Sequence, residues 1–137
     1  MAIDLCLKPI GFVRSKLKSR RAAPSFYTDE APEAFIEVVP DVRRALLRIQ
    51  AGDELIVITW LHHARRKVLT TSPEDDRSRP RTGVFRTRSP DRPNPLGLHR
   101  CRVVDARKDG LHIDAIEAIE GTPVVDIKPV VEEGDDS

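Results

Sequence analysis

The stretch Gly83 to Leu98, GVFRTRSPDRPNPLGL, carries the densest set of groups able to do chemistry in this 137-residue chain. Pro90, Pro93 and Pro95 each hold φ near about −65° and push the preceding residue toward extended geometry. The loop therefore has little conformational freedom left to lose on folding. Arg86, Arg88 and Arg92 hang from it, with Ser89 and Asn94 as small hydrogen-bonding groups. Guanidinium forks on a stiff loop suit bidentate capture of a carboxylate or a phosphate. The plainer alternative is a proline-stiffened turn whose arginines pair with local aspartates. Three arginines exceed what such a turn requires, which favours a binding role.

Two further sets of side chains stand out. His62-His63, followed by Ala64-Arg65-Arg66-Lys67, closes an apolar run. A neutral histidine there can bond a ligand or accept a proton near neutral pH. Neighbouring strand residues face opposite sides, so at most one of the pair is expected to point into a given cavity. The commoner fate of such a histidine is to sit half in water at a strand end. Asp114 to Asp126, DAIEAIEGTPVVD, places Glu117, Glu120 and Asp126 around Gly121. A carboxylate at Glu117 can accept from ribose hydroxyls or an amino group, although most turn carboxylates are simply solvated.

The elements that must position these groups are short. Leu7 to Val13 reads as a first strand and runs into a basic stretch ending at Arg21. Phe35 to Val39 reads as a second strand. Asp41 suits a helix N-cap, and Val42, Ala45, Leu46 and Ile49 recur at helical spacing until Gly52. Glu54 to Leu61 is the best candidate for a central buried strand. Ala64 to Arg81 is polar and apolar-poor, and is expected to be a long mobile loop. Gly83 to Thr87 returns to β character. Arg100 to Asp105 and Leu111 to Ile116 flank Lys108-Asp109-Gly110, a hairpin signal. Val124 to Val131 makes a last strand broken by Pro129, before an acidic tail at 132–137. Many short strands with one modest helix predict a single all-β domain over 1–131, a barrel or a sandwich.

Composition narrows the function. The formal net charge is +1, yet His62 to Arg102 holds eleven Lys/Arg against four acidic residues. Such a block attracts phosphate, or is a solvated arginine-rich loop. No two glycines form G-x-G, so neither a dinucleotide fingerprint nor a Walker loop is present. No G-x-S-x-G or H-E-x-x-H occurs. Cys6 and Cys101 make no disulfide framework, and no Cys/His spacing fits zinc, so no metal is expected. The N-terminus has no secretory pattern and the longest apolar run is far short of a membrane span. A cytoplasmic protein is expected.

Three blocks, IGFVRS (Ile10 to Ser15), GVFRTRSPDRPNPLGL (Gly83 to Leu98) and GTPVVDIKP (Gly121 to Pro129), resemble the TsaA-like family, also called YaeB or TrmO. They occur in the family's order and span nearly the whole chain. The resemblance implies an all-β fold, a closed antiparallel β-barrel with one short helix and a long mobile loop. It also implies S-adenosyl-L-methionine as cofactor, which fits the missing glycine fingerprint. It implies tRNA and a second copy of the chain as partners. The implied reaction is methylation of N6 of threonylcarbamoyl-adenosine beside the anticodon. Residue by residue, it places cofactor contacts at Pro24, Ser25 and Phe26, where the family's P-R-Q falls and the proline agrees. Further implied contacts are His62 and His63, Arg88 in T-R-S, Leu98 after Gly97, and Asp114, Ala115, Ile116 and Glu117 before G-T-P. His62, His63 and Glu117 are then candidate proton acceptors. Arg65, Arg66, Lys67, Arg77, Arg79, Arg81 and Arg92 would track RNA phosphates. Long bacterial members continue past D-I-K-P into a further small domain, whereas this sequence stops soon after. A non-catalytic cofactor-binding regulatory module, or a methyltransferase for another substrate, therefore stand as alternatives.

Overall fold

Alternation decides where each strand faces. In Glu54–Trp60 the inward positions Leu55, Val57 and Thr59 are buried, while Ile56, Ile58 and Trp60 are half-buried on the outside. The computed structural model describes residues 3–17, 32–72 and 78–131, and its strands are β1 (Gly11–Arg14), β2 (Ala34–Val38), β3 (Glu54–Trp60), β4 (Thr70–Thr71), β5 (Thr82–Gly83), β6 (Leu96–Arg107), β7 (Gly110–Ile113) and β8 (Pro123–Pro129). Six of them close an antiparallel barrel in the order β1-β2-β7-β6-β3-β8. β4 and β5 form a separate two-stranded sheet. The expected all-β antiparallel barrel is what the chain folds into, and the alternative of a sandwich falls.

The barrel is filled by side chains. Val13, Ile36, Val57, Leu111, Ile113 and Val124 are each 0% exposed. Burying side chains of this kind contributes about 1.5–3 kcal/mol apiece before entropy is counted. Ile116 and Ala118 join the same cluster from the segment after β7, and so cover one mouth of the barrel.

β6 carries the topology because it serves two neighbours in succession. Leu96 to Arg102 pair with β3, and Val103 to Arg107 pair with β7. The hand-over coincides with a register shift between Val103 and Asp105, where a bulge turns the strand. Another shift, between Ile58 and Thr59, bends β3 against β8. The β6–β7 hairpin is present as expected, but its loop is Lys108-Asp109, since Arg107 pairs with Gly110. Gly110 is not the positive-φ residue of the turn. A Cβ at Gly110 would collide with the Ile36 carbonyl oxygen and meet the Phe35 ring, so close approach of β2 demands glycine there.

Other expectations need correcting. The segment after β2 is a 3-10 helix, Pro40–Leu46, with Val39 at the N-cap and Pro40 opening it; Asp41 sits in the first turn and caps nothing. Its bonds span three residues, as in Val42 N–H to the Val39 carbonyl at 3.2 Å. Val42, Leu46 and Ile49 still pack on the core, while Ala45 is exposed. Val84–Arg86 is a second short 3-10 turn where β structure was expected, and β4 lies inside the stretch expected to be a loop. The second hairpin strand ends at Ile113, not Ile116. The tail at 132–137 lies outside the described residues.

Candidate functional site

Pairing registers place the C-terminal ends of β1, β3 and β7 and the starts of β2, β6 and β8 at one end of the barrel: Trp60 faces Leu96, Arg14 faces Phe35, and Ala34 faces Ile113. That end is staggered. β3 reaches the start of β6, but β7 stops level with Val103. Beyond that point β6 runs about 20 Å, at the usual strand rise, with no strand on its far side among the described residues.

The ladder fixes which groups face this gap. The Leu61 N–H donates to the Pro95 carbonyl at 2.8 Å and the Val103 N–H to the Asp53 carbonyl at 2.9 Å. Residues 95, 97, 99, 101 and 103 therefore bond toward β3, and the main-chain groups of Leu98, Arg100 and Arg102 point away from it. Arg102 is satisfied there by Asp114, through its N–H to Oδ1 at 2.9 Å and the Asp114 N–H to its carbonyl at 3.0 Å. Leu98 and Arg100 have no strand opposite them among the described residues. The Leu98 side chain projects outside the barrel, 54% exposed. From Asp114 the chain leaves β6, and the Ile116 N–H donates to the Pro32 carbonyl at 3.2 Å. Leu98 and Asp114 to Glu117 thus lie on the two sides of one opening. Ile116 itself is buried in the core, so only its main chain can meet a ligand. Burial raises the Glu117 carboxyl above its ordinary range.

The loop from Val84 to Pro95 forms the adjoining rim, and its arginines divide. Arg92 is held inside the loop, donating to the carbonyls of Thr87, Ser89 and Val84 at 2.9, 3.1 and 2.9 Å. Asp91 is buried and accepts from the Arg65 N–H at 2.8 Å and the Arg65 guanidinium at 3.3 Å. Arg66 donates to the Pro93 carbonyl at 2.7 Å and to Asn94 Oδ1 at 3.1 Å, and its guanidinium lies 5.0 Å from the centre of the Trp60 ring. Arg81 bonds Thr70 Oγ1 and its carbonyl across β4–β5. Arg65, Arg66, Arg81 and Arg92 therefore stitch loops together. Arg88, Lys67, Arg79 and Arg86 are exposed and make no bond to any described residue. Arg77 and the Pro24-Ser25-Phe26 segment lie outside the described residues.

His62 and His63 do not end the strand. β3 stops at Trp60, and both histidines sit in a turn closed by the Ala64 N–H to the Leu61 carbonyl at 2.9 Å. Strand alternation does not apply in a turn, so the rings lie on the same side with centroids 4.1 Å apart. Burial, then the neighbouring His63, holds His62 below the ordinary histidine value, so it is neutral at pH 7.

Sequence reading missed a third histidine. His99 faces into the barrel just below this rim, and its Nε2 lies 2.7 Å from Oγ1 of Thr59, which is wholly buried. Burial pushes its pKa down to about 4. The available signal was alternation along β6, which puts Gly97, His99, Cys101 and Val103 on one face. Among the described residues no cluster of His, Cys, Asp and Glu could hold a metal ion.

Comparison with known proteins gives a consistent neighbourhood. Residues 12–136 match the family described as tRNA-methyltransferase O N-terminal domain. A probable S-adenosyl-L-methionine-binding protein of Methanothermobacter thermautotrophicus is 35% identical over 133 residues, 97% of this chain and 95% of that protein. An S-adenosyl-L-methionine-binding protein of Archaeoglobus fulgidus is 34% identical, over 90% of this chain and 88% of its own length. A crystal structure of TrmO superposes with a TM-score of 0.77 at 30% identity, covering 97% of this chain and 60% of that one. TrmO from Pseudomonas aeruginosa superposes equally well at 26% identity, TM-score 0.77, with 59% of that chain covered. The chain thus spans about three fifths of the TrmO chains it matches.

Proposed function

This chain belongs to the tRNA-methyltransferase O N-terminal domain family, and from that premise we propose that it binds S-adenosyl-L-methionine beside β6 and methylates N6 of a threonylcarbamoyl-modified adenosine next to a tRNA anticodon. The observation that carries this reading is the convergence of Leu98, Asp114 to Glu117, Arg88 and the two rim histidines on one staggered barrel end. A sulfonium nucleoside with an amino-acid tail needs main-chain partners for its base, a carboxylate for its ribose and a cation for its carboxylate. The Leu98 edge, Glu117 and Arg88, which bonds no described residue, offer that set. The relatives' printed names, S-adenosyl-L-methionine-binding proteins, support the same ligand.

Held by Leu98, Arg88 and Asp114 to Glu117, S-adenosyl-L-methionine would supply an electrophilic methyl to N6, its sulfur keeping the electron pair of the carbon–sulfur bond. The chain must align the acceptor in line with that bond and take up one proton from N6. His62, neutral at pH 7, has a lone pair for this on the rim, with His63 beside it. Glu117, whose carboxyl is raised by burial, is the other acceptor. Lys67, Arg79 and Arg86, exposed and bonded to no described residue, are the cations assigned to RNA phosphates. A homodimer working in the cytoplasm belongs to the same reading.

The test is transfer of labelled methyl from S-adenosyl-L-methionine to bulk tRNA from cells lacking the protein. Incorporation that requires the threonylcarbamoyl group is expected. Cofactor binding with no transfer to any RNA would make the protein a binding module instead, and transfer to unmodified RNA would overturn the assigned acceptor.

A further inference from the structure

Leu98 is flanked on both sides by members of one buried polar cluster. Gly97 and His99 are its neighbours in β6, and both face inward toward Thr59 of β3. The Thr59–His99 bond runs directly over Gly97: a Cβ there would lie 2.5 Å from Thr59 Oγ1 and 2.8 Å from His99 Nε2. Only a residue without a side chain leaves room for the bond. A buried threonine on the inner face of β3, otherwise Leu55 and Val57, costs desolvation unless its hydroxyl is satisfied, and His99 is the side chain that satisfies it.

The level at which this happens matters. Among the described residues no strand pairs with the far edge of β6 from Leu96 to Arg100, so there the main-chain ladder with β3 restrains it on one side. An edge strand held on one side is free to twist and slip. A side-chain bond from β3 to the residue next to Leu98 removes that freedom at the point where the Leu98 N–H and carbonyl face the gap. We propose that Gly97, Thr59 and His99 are positioning residues that fix the Leu98 main chain for ligand capture at the open β6 edge. Resting on the cofactor reading above, this assigns a function to three residues that face the barrel interior.

Three variants separate positioning from plain stability. Thr59→Val removes the hydroxyl and keeps the shape; Thr59→Ser keeps the hydroxyl. The double variant Thr59→Val/His99→Leu replaces both partners by apolar groups, which restores stability when a buried bond is only structural. Calorimetric titration with S-adenosyl-L-methionine is expected to show Thr59→Ser within about twofold of wild type and Thr59→Val weaker by roughly tenfold or more. The double variant is expected to regain a wild-type thermal midpoint yet stay weak. A double variant that binds like wild type, or a Thr59→Val protein that does, overturns the proposal while leaving the cofactor reading intact. Should the double variant not fold, the Ser and Val pair decides. Wild-type protein that binds no S-adenosyl-L-methionine would instead bring down the cofactor reading, and this role with it.

Discussion

Arg88 and Arg92 lie four positions apart in one loop, and their surroundings assign them different tasks. Arg92 bonds three carbonyls; among the described residues Arg92→Ala takes the donor from those of Thr87 and Ser89, while that of Val84 keeps the Thr87 N–H and hydroxyl. A loss of about 1–3 kcal/mol in chemical denaturation is expected. Arg88 bonds nothing in the described chain. Arg88→Ala should leave the unfolding curve unchanged and weaken S-adenosyl-L-methionine binding by roughly tenfold or more, the worth of a charged hydrogen bond. Unchanged calorimetric affinity would remove Arg88 from the site. The sequence showed three arginines on a stiff loop but not which of them the loop would consume, because that depends on where carbonyls point after the prolines turn. His99 gives a pH signature. Its folded pKa of about 4 lies below the ordinary 6.5, so between those values the unfolded chain binds the extra proton. Stability is therefore full above about pH 6.5 and falls as pH drops toward 4, by on the order of 3 kcal/mol. Denaturation midpoints across that window should show the slope, and His99→Asn should flatten it.

At the level of elements, β6 and its two partners decide the architecture. Gly110 looked like a turn glycine because Asp-Gly so often closes hairpins. In the fold it is required by the Ile36 carbonyl and the Phe35 ring of β2 instead. Gly110→Ala is thus predicted to destabilise by about 1–3 kcal/mol through overpacking, read as a lower denaturant midpoint at unchanged slope. A wild-type midpoint would show that β2 has room to retreat. The six barrel strands were legible in the sequence to within a few residues, since period-two apolar patterning is a local property; β4, two residues inside a polar stretch, was not. The pairing of β6 with two different neighbours was not, because the bulge at Val103–Asp105 has no sequence mark. The helical spacing of Val42, Ala45, Leu46 and Ile49 named three core-facing residues and one, Ala45, that is exposed, because the Pro40 start tightened the turn into a 3-10 helix.

For the whole molecule, the barrel concentrates its candidate chemistry at one end. Three stretches far apart in sequence, the His62-His63 turn, the Val84 to Pro95 loop and Asp114 to Glu117, converge there because the adjoining strands turn at that end. The resemblance named most of these residues in advance; the gap they border follows only from the stagger of β6 against β7. Lys67, Arg79, Arg86 and Arg88 are exposed and bond no described residue. RNA affinity should therefore fall with salt by about 0.7 log units per log unit of salt for each single-strand phosphate neutralised. The most direct test of the central claim is amide hydrogen exchange with and without S-adenosyl-L-methionine. Slowed exchange at Leu98 and across Asp114 to Glu117, with β1 and β2 unchanged, is the predicted result. Protection that leaves Leu98 untouched and falls on another part of the barrel would contradict it.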